Sequence, residues 1–205
     1  MKKERFINLV SYINEYLTNS SNHEKIELFI EKAKNENAWF SDSLIRNAMD
    51  AIKINFLNAS RWLEFFNEYG DPIWHTSKRI GLILPGNLPA VGMHDLLMTI
   101  ASGHQPLVKL SSQDRSLLTL YIEIINSFDS FPKIEIQDRM SGVDAVIATG
   151  SDFSSGYFVN YFAKIPHIIR KNRTSVAVLS GNESKENFNQ LAADIFMYYG
   201  FRIIN

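Results

Sequence analysis

The stretch Arg79-Ile80-Gly81-Leu82-Ile83-Leu84-Pro85-Gly86-Asn87-Leu88-Pro89 decides the fold class. Arg79 to Leu84 is short, apolar and bounded by turn residues, the profile of a buried strand that runs into a tight loop. Helical spacing fits Ala90 to Ala101 behind it, Gly103 ends that helix, and Pro106 to Leu110 makes a second strand. The alternation then repeats. Helices fit Ser112 to Phe128, Phe153 to Ala163 and Lys185 to Tyr199, the last with Phe188, Leu191, Ile195 and Phe196 facing inward. Strands fit Lys133 to Ile136, Asp144 to Ala148 and Ser175 to Leu179. Strands separated by helix-length crossovers imply an α/β fold whose parallel sheet is covered on both faces. Ligands bind such sheets beyond the carboxyl ends of the strands, so the loops at 85–89, 110–114 and 149–154 should line one crevice.

Toward the N-terminus the period is helical throughout. Phe6, Leu9, Val10, Ile13, Tyr16 and Leu17 form one apolar face. Ser21 and Glu24 have the spacing of a capping box for a second helix with a buried stripe of Ile26, Leu28, Phe29 and Ala33. Ser41 or Asp42 caps a third helix that carries Leu44, Ile45, Ala48, Met49 and Ile52. Trp62, Phe65 and Phe66 follow, and Gly70-Asp71-Pro72 closes the segment. The expected division is a helical layer over 1–70 and a Rossmann-like α/β domain over 71–205. The aromatic residues of the layer stand at the spacing that a core face requires and read as packing.

Composition narrows the function. Apolar residues make up 45% of the 205 and charged residues 21%, an ordinary globular mixture that excludes a disordered chain. A formal net charge of -1 supplies no general attraction to nucleic acid or acidic membrane. The absence of cysteine removes disulfides, thiolate metal sites and a cysteine nucleophile. The charged start is not followed by an apolar signal-peptide core, and no run approaches the roughly 18 apolar residues of a membrane span. A soluble, cytoplasmic protein is the expectation.

The loops carry the candidate chemistry. No G-x-G-x-x-G follows a strand and no P-loop is present, so a nucleotide would be held by other means. Thr149-Gly150-Ser151 stands where a strand meets a helix; the ordinary reading is that Ser151 or Asp152 is an N-cap, and the alternative is that its amides with the helix dipole receive a phosphate. Lys109, Ser111 and Ser112 close the second strand, either as a solvated end or as an ammonium and two hydroxyls beside a ribose or phosphate. Asn87 reads as a turn asparagine or as an uncharged amide aimed at a developing oxyanion. His23, His75, His94, His104 and His167 form no metal-ligand spacing and read as structural or surface residues, so no metal is expected. Arg170-Lys171-Asn172-Arg173 reads as a solvated basic bend.

Taken in order, Leu84 to Pro89, Leu107 to Ser112, Asp144 to Ser151 and Pro166 to Glu183 resemble the bacterial acyl-CoA reductases. That family includes the fatty-acid reductase component of bioluminescence systems and belongs to the aldehyde dehydrogenase superfamily. The resemblance implies reduction of a fatty acyl thioester to an aldehyde by a reduced nicotinamide through an acyl-cysteine enzyme. It implies Asn87 in the oxyanion hole, Lys109 with Ser111 and Ser112 toward the adenosine ribose, and Thr149, Gly150 and Ser151 beneath the pyrophosphate. Many NAD-preferring relatives place a glutamate where this chain has Ser112, so NADPH is the expected cofactor, with NADH the alternative. The partner implied for the complete enzyme is fatty acyl-CoA or another acyl thioester, and a homo-oligomer is compatible with the family. The chain departs from the resemblance where the nucleophile belongs: Gly200 is followed by Phe201-Arg202-Ile203-Ile204-Asn205, with no cysteine. The expectation is a truncated chain, inactive alone, with an apolar exposed surface around Phe196, Tyr198, Tyr199 and Phe201. The competing expectation is a non-catalytic nucleotide- or partner-binding module.

Overall fold

In the computed structural model, which describes residues 3–70, 77–128, 133–171 and 176–200, four helices precede the sheet. They are α1 (Lys3–Thr18), α2 (His23–Glu36), α3 (Asp42–Asn55) and α4 (Ala59–Tyr69). Their buried faces follow the apolar spacing, with Phe6, Leu9, Val10 and Ile13 on α1 and Trp62 and Phe66 on α4. Phe6 meets the Trp62 ring edge-on at 4.7 Å. Ser41 caps α3 by accepting from the Leu44 amide.

Two local expectations fail here. Asn19, rather than Ser21, opens the second helical segment: its carboxamide accepts from the Ser21 amide and hydroxyl, which winds Ser20–Asn22 into a 3-10 turn ahead of α2. The N-cap residue of α2, Asn22, makes no side-chain cap, so no capping box joins Ser21 to Glu24. Leu28 lies on the outer side of α2, and Ile30 takes its place in the core beside Ile26, Phe29 and Ala33.

The α/β part supplies β1 (Arg79–Ile83), α5 (Met93–Ala101), β2 (Gln105–Lys109), α6 (Arg115–Ser127), β3 (Glu135–Ile136), β4 (Ala145–Thr149), α7 (Asp152–Tyr161), β5 (His167–Arg170) and α8 (Lys185–Phe196). The five strands form one parallel sheet in the order β3-β2-β1-β4-β5. Right-handed crossovers place α5 and α6 on one face and α7 on the other. Side-chain alternation agrees. Ile80, Leu82 and Val108 join the core formed by α5, α6 and the N-terminal helices, whereas Leu107, Val146 and Ala148 pack with Phe158 and Phe162 under α7. The helical layer and the α5–α6 face thus share one continuous hydrophobic core.

The last part of the chain departs most from expectation. The strand expected over Ser175 to Leu179 is absent at 176–179, and Ser175 lies outside the described residues. A strand that periodicity did not signal, β5, pairs with β4 instead, from Val146 opposite His167 to Thr149 opposite Arg170. No residue of α8 is buried among the described residues: Phe188 and Ile195 are each 48% exposed, Phe196 is 74% exposed and Leu191 is half-buried, so the stripe expected to face inward joins no core there. The exposed surface expected near the end is present at Phe196, Tyr198 is half-buried, and the side chain of Tyr199 and all of Phe201 lie outside the described residues.

Candidate functional site

β1 lies between β2 and β4, and the three strands end together. Ile83 stands opposite both Lys109 and Ala148, and the Leu84 amide donates to the Lys109 carbonyl at 3.1 Å. The β1 crossover runs to β2 and the β4 crossover runs the other way to β5, so the gap between β1 and β4 is the topological switch point of the sheet. The turn with Asn87, the loop 110–114 and the turn Thr149-Gly150-Ser151 therefore leave neighbouring strands at one edge. Lys109, Ser112 and Ser151 are exposed there, and Asn87, Ser111, Thr149 and Gly150 are half-buried.

The first two loops are built into each other. A Cβ on Gly86 would stand 2.5 Å from Ser111 Oγ and 3.1 Å from the Asp114 amide nitrogen, so only glycine permits this approach. Ala90 has φ 53°, a left-handed conformation that costs a non-glycine residue about 1 kcal/mol. Its amide donates to Asp114 Oδ2 at 2.7 Å. Asn37, just beyond α2, donates from Nδ2 to the Gly86 and Gln113 carbonyls at 3.4 and 3.3 Å. Glu36 beside it caps α6, with Oε2 accepting from the Arg115 and Ser116 amides and Oε1 from the Ser116 hydroxyl. Burial pushes the Asp114 carboxyl well above the usual carboxylate range, against the Ala90 amide and with the help of the Glu36 charge. Tyr121 lies fully buried nearby, and its phenol is raised by burial and then by the Asp114 and Asp50 charges. Periodicity gave no sign of Glu36, Asn37 or Asp114, because each is a polar residue at an element end whose partners are distant in sequence.

At the third loop Ser151 is the N-cap of α7 and accepts from the Ser154 amide at 3.3 Å. The capping reading of this motif is the one visible in the geometry. The helix N-terminus still directs its positive dipole end at the crevice, opposed in the first turn by Asp152.

A separate cavity of about 400 Å³ lies on the α5 face over β1, β4 and β5, walled by Ile80, Met98, Ile147 and Ile168. Arg170 and Asp95 also line it. Arg170 Nη1 reaches both Asp95 oxygens at 2.5 and 2.6 Å, and His94 Nδ1 lies 3.1 Å from Oδ1. Burial works to raise the Asp95 carboxyl, but the bonds from His94 and Arg170 prevail and hold it below its ordinary value. Arg170 is thus a paired strand residue rather than part of a solvated bend; Lys171 is exposed, and Asn172 and Arg173 lie outside the described residues. His167 Nδ1 contacts the Ile165 and Phe162 carbonyls, His23 pairs with Glu27, and His104 lines the cavity. His75 lies outside the described residues, among which no group of side chains has the makings of a metal site.

No family model and no curated protein matches this sequence. Solved structures do. The chain is similar to aldehyde dehydrogenase C from Pseudomonas syringae, solved as a cysteine-to-alanine variant with NAD+ and octanal, at 14% identity and a TM-score of 0.67. It is similar to an aldehyde dehydrogenase from Bartonella henselae at 14% identity and a TM-score of 0.69. A third is aldehyde dehydrogenase 21 from Physcomitrella patens, solved with the reaction product succinate, at 12% identity and 0.68. These matches cover 97–98% of this chain but only 44–46% of the others, so the chain spans less than half their length. At such identities the likeness speaks for the backbone arrangement, and the chain has, over the part shared, the Rossmann-like α/β fold of the aldehyde dehydrogenases.

Proposed function

We propose that this chain is the nicotinamide-nucleotide-binding part of an acyl-CoA reductase that converts a fatty acyl thioester to an aldehyde, and that alone it binds the nucleotide without turnover. The observation that carries the reading is the meeting of the Asn87 turn, the Lys109–Ser112 segment and the Gly150–Ser151 turn at one switch point. The resemblance of those three segments to the reductases, together with the aldehyde dehydrogenase fold, supports it.

The residues present fit an anionic dinucleotide. The exposed Lys109 ammonium suits a ribose or phosphate oxygen, and the α7 N-terminus at Gly150–Ser151 would receive the pyrophosphate. By the resemblance, Ser112 stands where NAD-preferring relatives have a glutamate, and the missing carboxylate favours NADPH over NADH. When bound, the nicotinamide supplies the hydride. Asn87 would donate from its amide to the thioester oxygen as negative charge develops, with no charge of its own to neutralise. Thioester exchange needs a thiolate to displace the CoA sulfur, and this sequence has no cysteine, so the contribution of the chain ends at binding and polarising.

Titration of NADPH and NADH into the purified chain, followed by thermal unfolding, tests the reading. Expected is a saturable rise with NADPH, worth about 2.7 kcal/mol at a hundredfold excess over Kd. Absence of a shift with either nucleotide overturns it. The second reading, a partner-binding module, draws on the exposed Val176, Val178 and Phe196 and gains if binding is absent and the chain self-associates.

A further inference from the structure

The N-terminal helical layer does more than pack. Its α2 ends in Glu36 and Asn37, and both reach the loops of the crevice across 49 to 80 positions of sequence. The loop 110–114 is held at Gln113 by Asn37 and flanked by two further contacts, Glu36 on the first amides of α6 and the ladder bond between Leu84 and Lys109. Of the turn that carries Asn87, Gly86 hangs from Asn37 and Ala90 from Asp114. Asp114 is fully buried and Asn37 nearly so, and Ala90 keeps a left-handed backbone that its neighbours must impose.

We infer that Asp114 and Asn37 are positioning residues that hold the Asn87 turn in register with the cofactor loop, so that the reacting end of the nucleotide site is set by contacts from α6 and the helical layer. The inference rests on the nucleotide-binding reading above. In that reading Asn87 stands at the nicotinamide end, while Lys109 and Gly150–Ser151 hold the adenosine and pyrophosphate end. Loss of Asp114 frees the turn and leaves the α6 cap in place.

The test compares two probes on the whole chain by calorimetric titration: NADPH, and 2',5'-ADP, which has the adenosine phosphates without the nicotinamide. Asp114→Ala is expected to weaken NADPH about fivefold to tenfold, the scale of one lost hydrogen bond, and to leave 2',5'-ADP within about twofold. Asp114→Asn keeps an acceptor for the Ala90 amide and should restore NADPH to within about twofold of the original chain. Parallel weakening of both probes, no weakening of NADPH, or an Asn variant that behaves like Ala overturns the positioning role. Should Asp114→Ala not fold, Asn37→Ala, which removes the donor to both Gly86 and Gln113, takes its place: weakening of NADPH that exceeds that of 2',5'-ADP supports the role, and equal weakening or none overturns it. If the unsubstituted chain binds neither of these probes nor NADH, the nucleotide reading itself fails and the inference falls with it; binding of both probes by that chain with parallel losses in the variants sinks the inference alone.

Discussion

Gly86 shows how far a single atom matters at this site. Because a Cβ there would stand 2.7 Å from Ser111 Cβ as well as against its hydroxyl, the clash is with a loop rather than with a mobile side-chain tip. Gly86→Ala should destabilise the chain by about 1–3 kcal/mol in urea unfolding. Asp114 gives a test with a sign. Its folded carboxyl titrates well above the usual value near 3.9, so between the two the folded state binds more protons than the unfolded state. Stability therefore falls as pH rises through that window. Asp114→Asn, which has no such titration, should gain stability relative to the original chain from pH 4 to 7, measured as the difference in unfolding midpoint. A flat difference would show that the carboxyl keeps its ordinary value.

Elements in this fold are joined by polar contacts that local patterns do not announce. The pair of Asp95 on α5 and Arg170 on β5 links a helix to the edge strand; Asp95 is only 8% exposed, and desolvation would leave an unpaired carboxylate costly. Arg170→Ala should cost about 2 kcal/mol at pH 7. Because the folded Asp95 carboxyl is held low, its contribution is present above the unfolded value near 3.9 and is lost as pH falls through the folded one. The penalty of Arg170→Ala should accordingly shrink on acidification from pH 5 to 3. The edge strand itself, His167-Ile168-Ile169-Arg170, is too short and too polar at its ends for periodicity to reveal, and it exists because β4 offers it a parallel ladder. By contrast α1 and α6 follow their apolar spacing almost residue for residue.

On the scale of the whole molecule, the N-terminal part has a core, and the described residues after β5 add none to it. The four N-terminal helices, α5 and α6 enclose a continuous interior, whereas Val176, Val178, Leu179, Phe188, Ile195 and Phe196 are exposed. No described helix is long and apolar enough to cross a membrane. An apolar surface of this kind drives association in water. Light scattering over about a tenfold concentration range should show rising mass by mass action, and Phe188→Ser combined with Phe196→Ser should flatten the rise. Mass that stays monomeric throughout would show the surface to be covered in solution.

The sequence by itself determined the four N-terminal helices and the alternation of strands and helices as far as α7, but not the edge strand β5. Each element it determined follows from local periods and turn residues that act over a few positions. Tertiary structure alone decided that Asn37 and Asp114 hold the Asn87 turn while Glu36 caps α6, that Arg170 is paired rather than solvated, and that no residue of α8 is buried among the described residues. The physical reason is shared by all three. A polar group at an element end, or an apolar stripe on a helix, acquires its role from the partner brought to it, and that partner lies dozens of residues away or has no place among the described residues.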